Sequence, residues 1–386
     1  MSSDTDLASH SSPHSDNMGI NPTDETGQQH RDDQQDADGN SFEDAGAHNK
    51  IREYMEERSR EFRRLQEIRA KGWKSEKGDE YFQRQRRSAD NASNNTANYF
   101  YGMMQKIGTE LHRITKAFEL SHISNQPAIL DMCMAPGGFV ASVLKKYPDA
   151  HVKAMSLPVE RGGHEVLLKA ENLEVEFLDV TMLAGDMGIT KEDIPVSHPD
   201  RDAFTIQRIF SAQEKFDLAF CDGQVLRTQQ RSQWREPFEA YRLTKSQLAL
   251  SLEHLKPGGT MVILLHKLEA WGSVKLLHTL SKFSNLKLFK HHRHHAMRSS
   301  FYAVAKNVQS DGELALEAIA EWKRAWKNAS LGTKDERTRE LKADSADAQE
   351  VLDDFGKTLV NMGRIIWTKQ ADALERASFM EASKGG

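Results

Sequence analysis

The chain has 386 residues, with 52 Lys and Arg against 57 Asp and Glu, for a formal net charge of −5. Its two cysteines, Cys133 and Cys221, exclude a disulfide framework and point to a reducing compartment. No apolar run reaches membrane-spanning length and the first thirty residues contain neither Lys nor Arg, so no membrane anchor or leader is expected, and an intracellular location, nuclear or cytoplasmic, is.

Residues 1–47 hold eleven acids and one base, Arg31, with almost no aromatic or branched apolar residue. That composition predicts a disordered acidic tail. Over 48–98 a thin apolar stripe (Ile51, Tyr54, Met55, Phe62, Leu65, Ile68) runs through a strongly charged background, which predicts a solvated helical extension and a polar linker. Such an extension suits gripping a substrate or binding a partner. From 99 to 307 apolar runs alternate with helical patterns. Strands are predicted at 128–133, 152–157, 173–178, 216–221, 260–265, 286–289 and 301–305, and helices at 139–147, 164–171, 233–255 and 271–283. Residues 183–209 break the alternation and read as an insertion with a short helix. The remainder, 308–386, is a helical appendage, with Trp322 and Trp326 one turn apart and a long amphipathic pattern over 346–380. It either packs on the domain or offers a surface to a protein partner. Repeated strand–helix alternation implies the α/β class: a three-layer, Rossmann-like, mainly parallel sheet of about seven strands.

The most informative stretch is Ile129-Leu130-Asp131-Met132-Cys133-Met134-Ala135-Pro136-Gly137-Gly138-Phe139. An apolar strand ends in an acid, a small-residue loop follows, and a helix begins. A loop without bulky side chains lets a ligand approach backbone N–H groups at a helix N-terminus. The dinucleotide pattern G-x-G-x-x-G and the phosphate loop are both absent. The stretch from Asp131 to Phe139 instead resembles the first motif of the FtsJ-like family of S-adenosylmethionine-dependent ribose 2′-O-methyltransferases. Phe216–Gly223, a strand ending in Asp222, resembles a second family motif. Leu255-Lys256-Pro257-Gly258-Gly259-Thr260 and Arg298-Ser299-Ser300-Phe301-Tyr302 resemble the family's closing strands.

The resemblance implies S-adenosylmethionine as cofactor. Asp131, Ala135 and Pro136 belong to its loop, and Gly137, Gly138 and Phe139 border the methionine portion. Ser156 stands where the family places an acid for the ribose hydroxyls, and Asp179 resembles the acid near adenine. The sulfonium methyl is already activated, so much of the catalysis is positioning. A cation near the acceptor hydroxyl stabilises the developing alkoxide, and a carboxylate orients that cation. The family does this with a Lys-Asp-Lys-Glu tetrad. By resemblance Asp222 is its aspartate, Lys267 the central lysine and Lys106 the first lysine. Lys267 comes three residues later than the pattern puts it, where this chain has Leu264, and an odd shift changes the strand face unless a bulge or the strand end restores it. The glutamate position holds Phe301, which neither accepts a hydrogen bond nor carries charge.

Residues 270–310 contain seven bases, five histidines and no acid, so an RNA-phosphate surface is expected around Lys290–Arg298. The histidine spacing matches no metal pattern, and no metal is expected. RNA ribose 2′-hydroxyls are the expected acceptor, with rRNA, tRNA and mRNA cap all open. The alternative is a catalytically inactive FtsJ-like fold that binds RNA or a partner.

Overall fold

The computed structural model describes residues 45–72, 94–120, 126–343 and 347–377. The acidic tail through residue 44 and the stretch 73–93 lie outside the described residues. Seven strands form one sheet: β1 (Ala128–Asp131), β2 (His151–Ser156), β3 (Leu173–Phe177), β4 (Phe216–Cys221), β5 (Leu255–Leu265), β6 (Asn285–Phe289) and β7 (Phe301–Val308). Their spatial order is β3-β2-β1-β4-β5-β7-β6. The first five are parallel, and β7 runs antiparallel to both β5 and β6. This is the three-layer α/β sheet that the strand–helix alternation implies.

The central strands are short apolar runs because both their faces are covered. Every residue of β4 is buried, whereas β3, at the sheet edge, is only partly covered. One carboxylate sets the strand starts: Asp217 Oδ2 accepts the Ala128 N–H at 2.8 Å and pairs with Lys256 Nζ at 2.7 Å, tying β1, β4 and β5 together. One sheet face packs on α3 (Asn94–Thr115) and α4 (Gly138–Leu144) through Ile107, Leu111, Phe139 and Phe220. The other packs on α5 (Glu239–Glu253), α6 (Trp271–Ser281) and α7 (Glu313–Leu331).

The extension expected to be solvated is built into this second layer. Helices α1 (Ala45–Arg58) and α2 (Arg60–Gly72) bury Ile51, Met55, Phe62 and Leu65 against Leu352, Phe355, Leu359 and Trp367 of the last helix, Ala348–Glu375, which follows α8 (Lys334–Ala343) and is labelled α9. The Phe62 and Trp367 rings lie 5.1 Å apart, and Arg64 pairs with Asp372 and Glu375. The apolar stripes of both terminal segments are thus used within the chain. Packing wins because such stripes gain about 25 cal/mol per Å² on leaving water.

Two predicted helices do not form. Residues 164–170 are irregular: the Leu167 N–H bonds to Pro136 O at 3.1 Å, so the segment follows the glycine loop instead of closing its own turns. Residues 183–209 hold turns but no helix, and Asp186 organises them by accepting the Ile209 and Phe210 N–H groups at 3.0 and 3.1 Å.

Trp367→Ala should cost about 3–5 kcal/mol of stability in denaturant unfolding. A cost below about 1 kcal/mol would contradict the packing of the terminal helices on the sheet.

Candidate active site

The loop from Met132 to Gly138 is stitched to both neighbours of β1. Met132 N donates to Phe220 O of β4 at 3.2 Å, and Met134 N donates to Met155 O of β2 at 2.9 Å. Gly137 then adopts φ 101° as the residue preceding α4. A side chain there would be strained and would press on Leu168, at 2.8 Å from its Cβ. Gly223, just after β4, packs so tightly on Cys133 that any Cβ would overlap it. Gly223 and Cys133 line a cavity at the carboxyl edge of β1, β2 and β4, where α/β proteins bind ligands.

Of the residues singled out in the sequence, Ala135, Ser156, Asp179 and Asp222 line this one cavity. Asp131 sits behind it, 2% exposed, with Oδ1 accepting the Cys133 N–H at 3.2 Å. Among the described residues Asp222 Oδ1 is sealed from solvent and has no hydrogen-bond partner. Burial pushes the Asp222 carboxyl up to about 7. Burial and then the Asp222 charge push Asp131 well above the carboxylate range, and they raise the Tyr302 phenol in the same way. Burial also raises both thiols, Cys221 to about 12, so neither serves as a nucleophile.

Asp179 is on the wall but fully engaged. Oδ1 accepts from Thr181 N and Oγ1 at 3.0 and 2.8 Å, while Oδ2 accepts from Arg235 at 2.6 Å and Gln229 at 3.2 Å. Burial raises its pKa, but Arg235 and these hydrogen bonds prevail and hold it below the ordinary range. Its four acceptor positions are filled by protein donors, so it braces the 180–182 turn and has no capacity left for an adenine amine. The bracing extends through Glu239 and Arg242 to Ser330 of α7, and both Arg242 and Trp326 reach Thr181 O.

Four other candidates stand off the cavity wall. Phe139 is 1% exposed, stacked on Phe220 at 5.4 Å and edge-on to Tyr302 at 5.5 Å, so it anchors α4 in the core rather than bordering a ligand. Gly138 lets α3 approach the loop beside Tyr101 O and Met104. Lys106 is exposed on α3, where its charge is felt by His294. Lys267 lies beyond β5 with φ 46°, its N–H on Ser299 O at 3.3 Å, next to the buried Glu269–Arg69 pair. Leu264 faces Tyr302 across β5 and β7, and Phe301 faces Leu265 on the opposite side of the sheet. Among the described residues no cation pairs with Asp131 or Asp222.

The basic loop is also more neutralised than its sequence suggests. Lys290 is buried and donates to the carbonyls of His295, Arg298 and Ser300, and His291 and His292 both contact Glu110 of α3. Two arginines and a glutamate that brace Asp179 and Thr181 from behind the cavity wall, Arg235, Glu239 and Arg242, were not singled out in the sequence. Their i, i+4 and i, i+3 spacing on a helix was the available signal.

The model of the family described as FtsJ-like methyltransferase matches residues 107–308, just over half of the chain and the same span that carries the loop, Asp222 and the sheet. The chain belongs to the FtsJ-like methyltransferase family. No curated protein matches. Among solved structures, similar folds include a putative ribosomal RNA methyltransferase from Plasmodium falciparum (15% identity, 53% of this chain and 97% of that one, TM-score 0.34). They also include the N-methyltransferase NodS from Bradyrhizobium japonicum with S-adenosyl-L-homocysteine (13%, 52% and 86%, 0.31) and human methyltransferase-like protein 13, also with that product (14%, 60% and 89%, 0.29). Likeness at this level decides nothing about the acceptor.

The cofactor of this FtsJ-like protein is S-adenosylmethionine, and the residues present fit it. The cavity has the small residues Ala135 and Gly223 on its wall, the Ser156 hydroxyl, and beside them one orphaned carboxyl oxygen, Asp222 Oδ1. No described helix is long and apolar enough to cross a membrane.

Gly137→Ala should weaken S-adenosylmethionine binding about tenfold or more by calorimetry, because the left-handed backbone and Leu168 both resist a side chain; unchanged affinity would place the ligand elsewhere. The Asp222 carboxyl makes a second, pH-dependent prediction. Below about pH 4 folded and unfolded states both hold its proton; between about 4 and 7 stability falls as pH rises, and above about 7 the penalty is complete. Asp222→Asn should therefore raise the melting temperature at pH 8 and leave it unchanged at pH 4. A lower melting temperature at pH 8 would contradict this account of the site.

Proposed function

We propose that this FtsJ-like protein transfers the methyl group of S-adenosylmethionine to ribose 2′-hydroxyls of RNA. The observation that carries the proposal is that Cys133 and Ala135 of the family's loop line one cavity together with Asp222. When bound, the cofactor supplies a methyl group already activated as a sulfonium. The chain's own residues then hold and orient. Ala135, held in place by the Pro136–Gly138 turn, receives the methionine portion, and Ser156 Oγ meets the ribose hydroxyls more weakly than a carboxylate would. Asp179 acts at one remove, through the turn it braces.

Asp222 is the group placed to interact with the acceptor hydroxyl. With its pKa near 7, part of it is ionised at neutral pH and able to share a proton. An RNA acceptor is supported by exposed cations on α3 and the loop after β6, among them Lys106, Arg113, Arg293 and Arg298.

Purified protein should transfer labelled methyl groups from S-adenosylmethionine to RNA, and the labelled linkages should resist alkaline hydrolysis, since a methylated 2′-oxygen cannot attack its phosphate. Asp222→Ala should lower the rate about 100-fold or more while cofactor binding persists. Cofactor binding without any transfer by the wild type would contradict the proposal and leave the inactive RNA- or partner-binding fold. Label that alkali releases in ordinary nucleotides would show methylation at another position.

A further inference from the structure

We infer that Gln229 replaces the family's acid at the adenine, its amide oxygen accepting the exocyclic amine of the S-adenosylmethionine base. The inference rests on the cofactor placement proposed above and is independent of the acceptor. Along the carboxyl edge of the sheet the strands follow the order β3-β2-β1-β4. The cavity reaches all four ends: Asp222 after β4, Ala135 after β1, Ser156 at the end of β2, and Leu178 to Thr181 after β3. With the amino-acid portion at Ala135 and the ribose at Ser156, the base falls at the β3 end. Leu157, Leu178 and Val180, just past β2 and β3, give the wall there an apolar surface that suits a flat ring.

Asp179 stands at the same end, but Thr181, Arg235 and Gln229 already fill its acceptor positions. Gln229 belongs to the segment after β4, which crosses back toward β2 and β3. Thr228 Oγ1 donates to Gly162 O at 2.8 Å and Gln230 N donates to Arg161 O at 3.0 Å, so 228–230 is tied to the turn after β2. The Gln229 side chain then meets two carboxylates: Nε2 donates to Asp179 Oδ2 at 3.2 Å and to Glu239 Oε1 at 3.4 Å. Ionised carboxylates only accept, so they take the NH2 group and leave the amide oxygen on the other side. Among the described residues no donor reaches Gln229 Oε1, and this oxygen is not sealed from solvent. It is an unfilled acceptor on a residue of the cavity wall.

An adenine amine donates one of its hydrogens to such an oxygen. The bond is neutral, where the family's acid makes a charge-assisted one, so it contributes less affinity. It still selects among bases. A base with an oxygen in place of the amine would set a second acceptor against Oε1, and neither oxygen would find a hydrogen. Asp179 and Glu239, themselves held by Arg235, are positioning residues in this arrangement. They fix the direction of the Gln229 amide, and Gln229 is the member of the group that touches the ligand.

The test is calorimetric binding of S-adenosyl-L-homocysteine and of S-inosyl-L-homocysteine, which has an oxygen in place of the amine. Both are titrated into the wild type, Gln229→Met and Gln229→Leu. The wild type should prefer the adenosyl compound about tenfold or more, and each variant should bring the two affinities within about threefold of one another. The preference is read within one protein, so a general loosening of the site, which weakens both compounds alike, does not imitate this result. A preference that the variants keep in full would overturn the inference, and so would a wild type without one. Variants that lose both compounds together would mark a structural role and overturn it. Preference lost in Asp179→Asn but kept in Gln229→Met would return the role to the acid and overturn it too. A wild type that binds neither compound would take down the cofactor placement along with the inference. Absent methyl transfer to RNA beside a preference that depends on Gln229 would count against the acceptor reading alone and leave this inference supported.

Discussion

Two carboxyls at the ends of neighbouring parallel strands constrain the whole site. Asp131 pairs with Phe220 in register, and Asp222 follows two residues later, so the sheet delivers both acids to the same corner. Among the described residues neither has a cationic partner, and burial penalises their charged forms. Such an arrangement destabilises a fold, and chains retain such local conflicts where function requires them. A cavity that accepts a sulfonium can use it, because buried anionic character favours a cation and a carboxyl near pH 7 can exchange protons.

The rest of the molecule is arranged to hold that corner rigid. Asp179, Arg235, Glu239 and Arg242 form a buried charge network between the 180–182 turn, α5 and α7. Removing one member of such a network leaves an uncompensated charge, typically costing 3–5 kcal/mol. On the opposite side, Arg69 of α2 pairs with Glu269 just past β5 and donates to Gln370 of α9, whose amide reaches Met297 O. The terminal helices therefore support the two loops that flank Lys267. They are part of the domain's second layer.

Much of this was legible in the sequence. The sheet was readable because the apolar runs at 128–130 and 218–221 are each followed by an acid, Asp131 and Asp222, and the loop because Pro136-Gly137-Gly138 admits few alternatives. What escaped has physical causes. Residues 164–170 have a helical composition, yet the Leu167 N–H is drawn onto Pro136 O of the glycine loop. Asp179 has the right position for a ligand contact, but only the tertiary structure shows four donors already on it. The acid-free stretch 270–310 reads as a bare basic face, but Glu110 and Glu321 reach it from distant helices, and Lys290 turns inward.

The account depends most on where the cofactor sits and which way its methyl group points. A crystal structure with S-adenosyl-L-homocysteine measures that directly. The account predicts the amino-acid portion beside Ala135, a ribose hydroxyl within hydrogen-bond reach of Ser156 Oγ, and the sulfur facing Asp222. A product molecule bound away from this cavity, or one whose sulfur points away from Asp222, would contradict it.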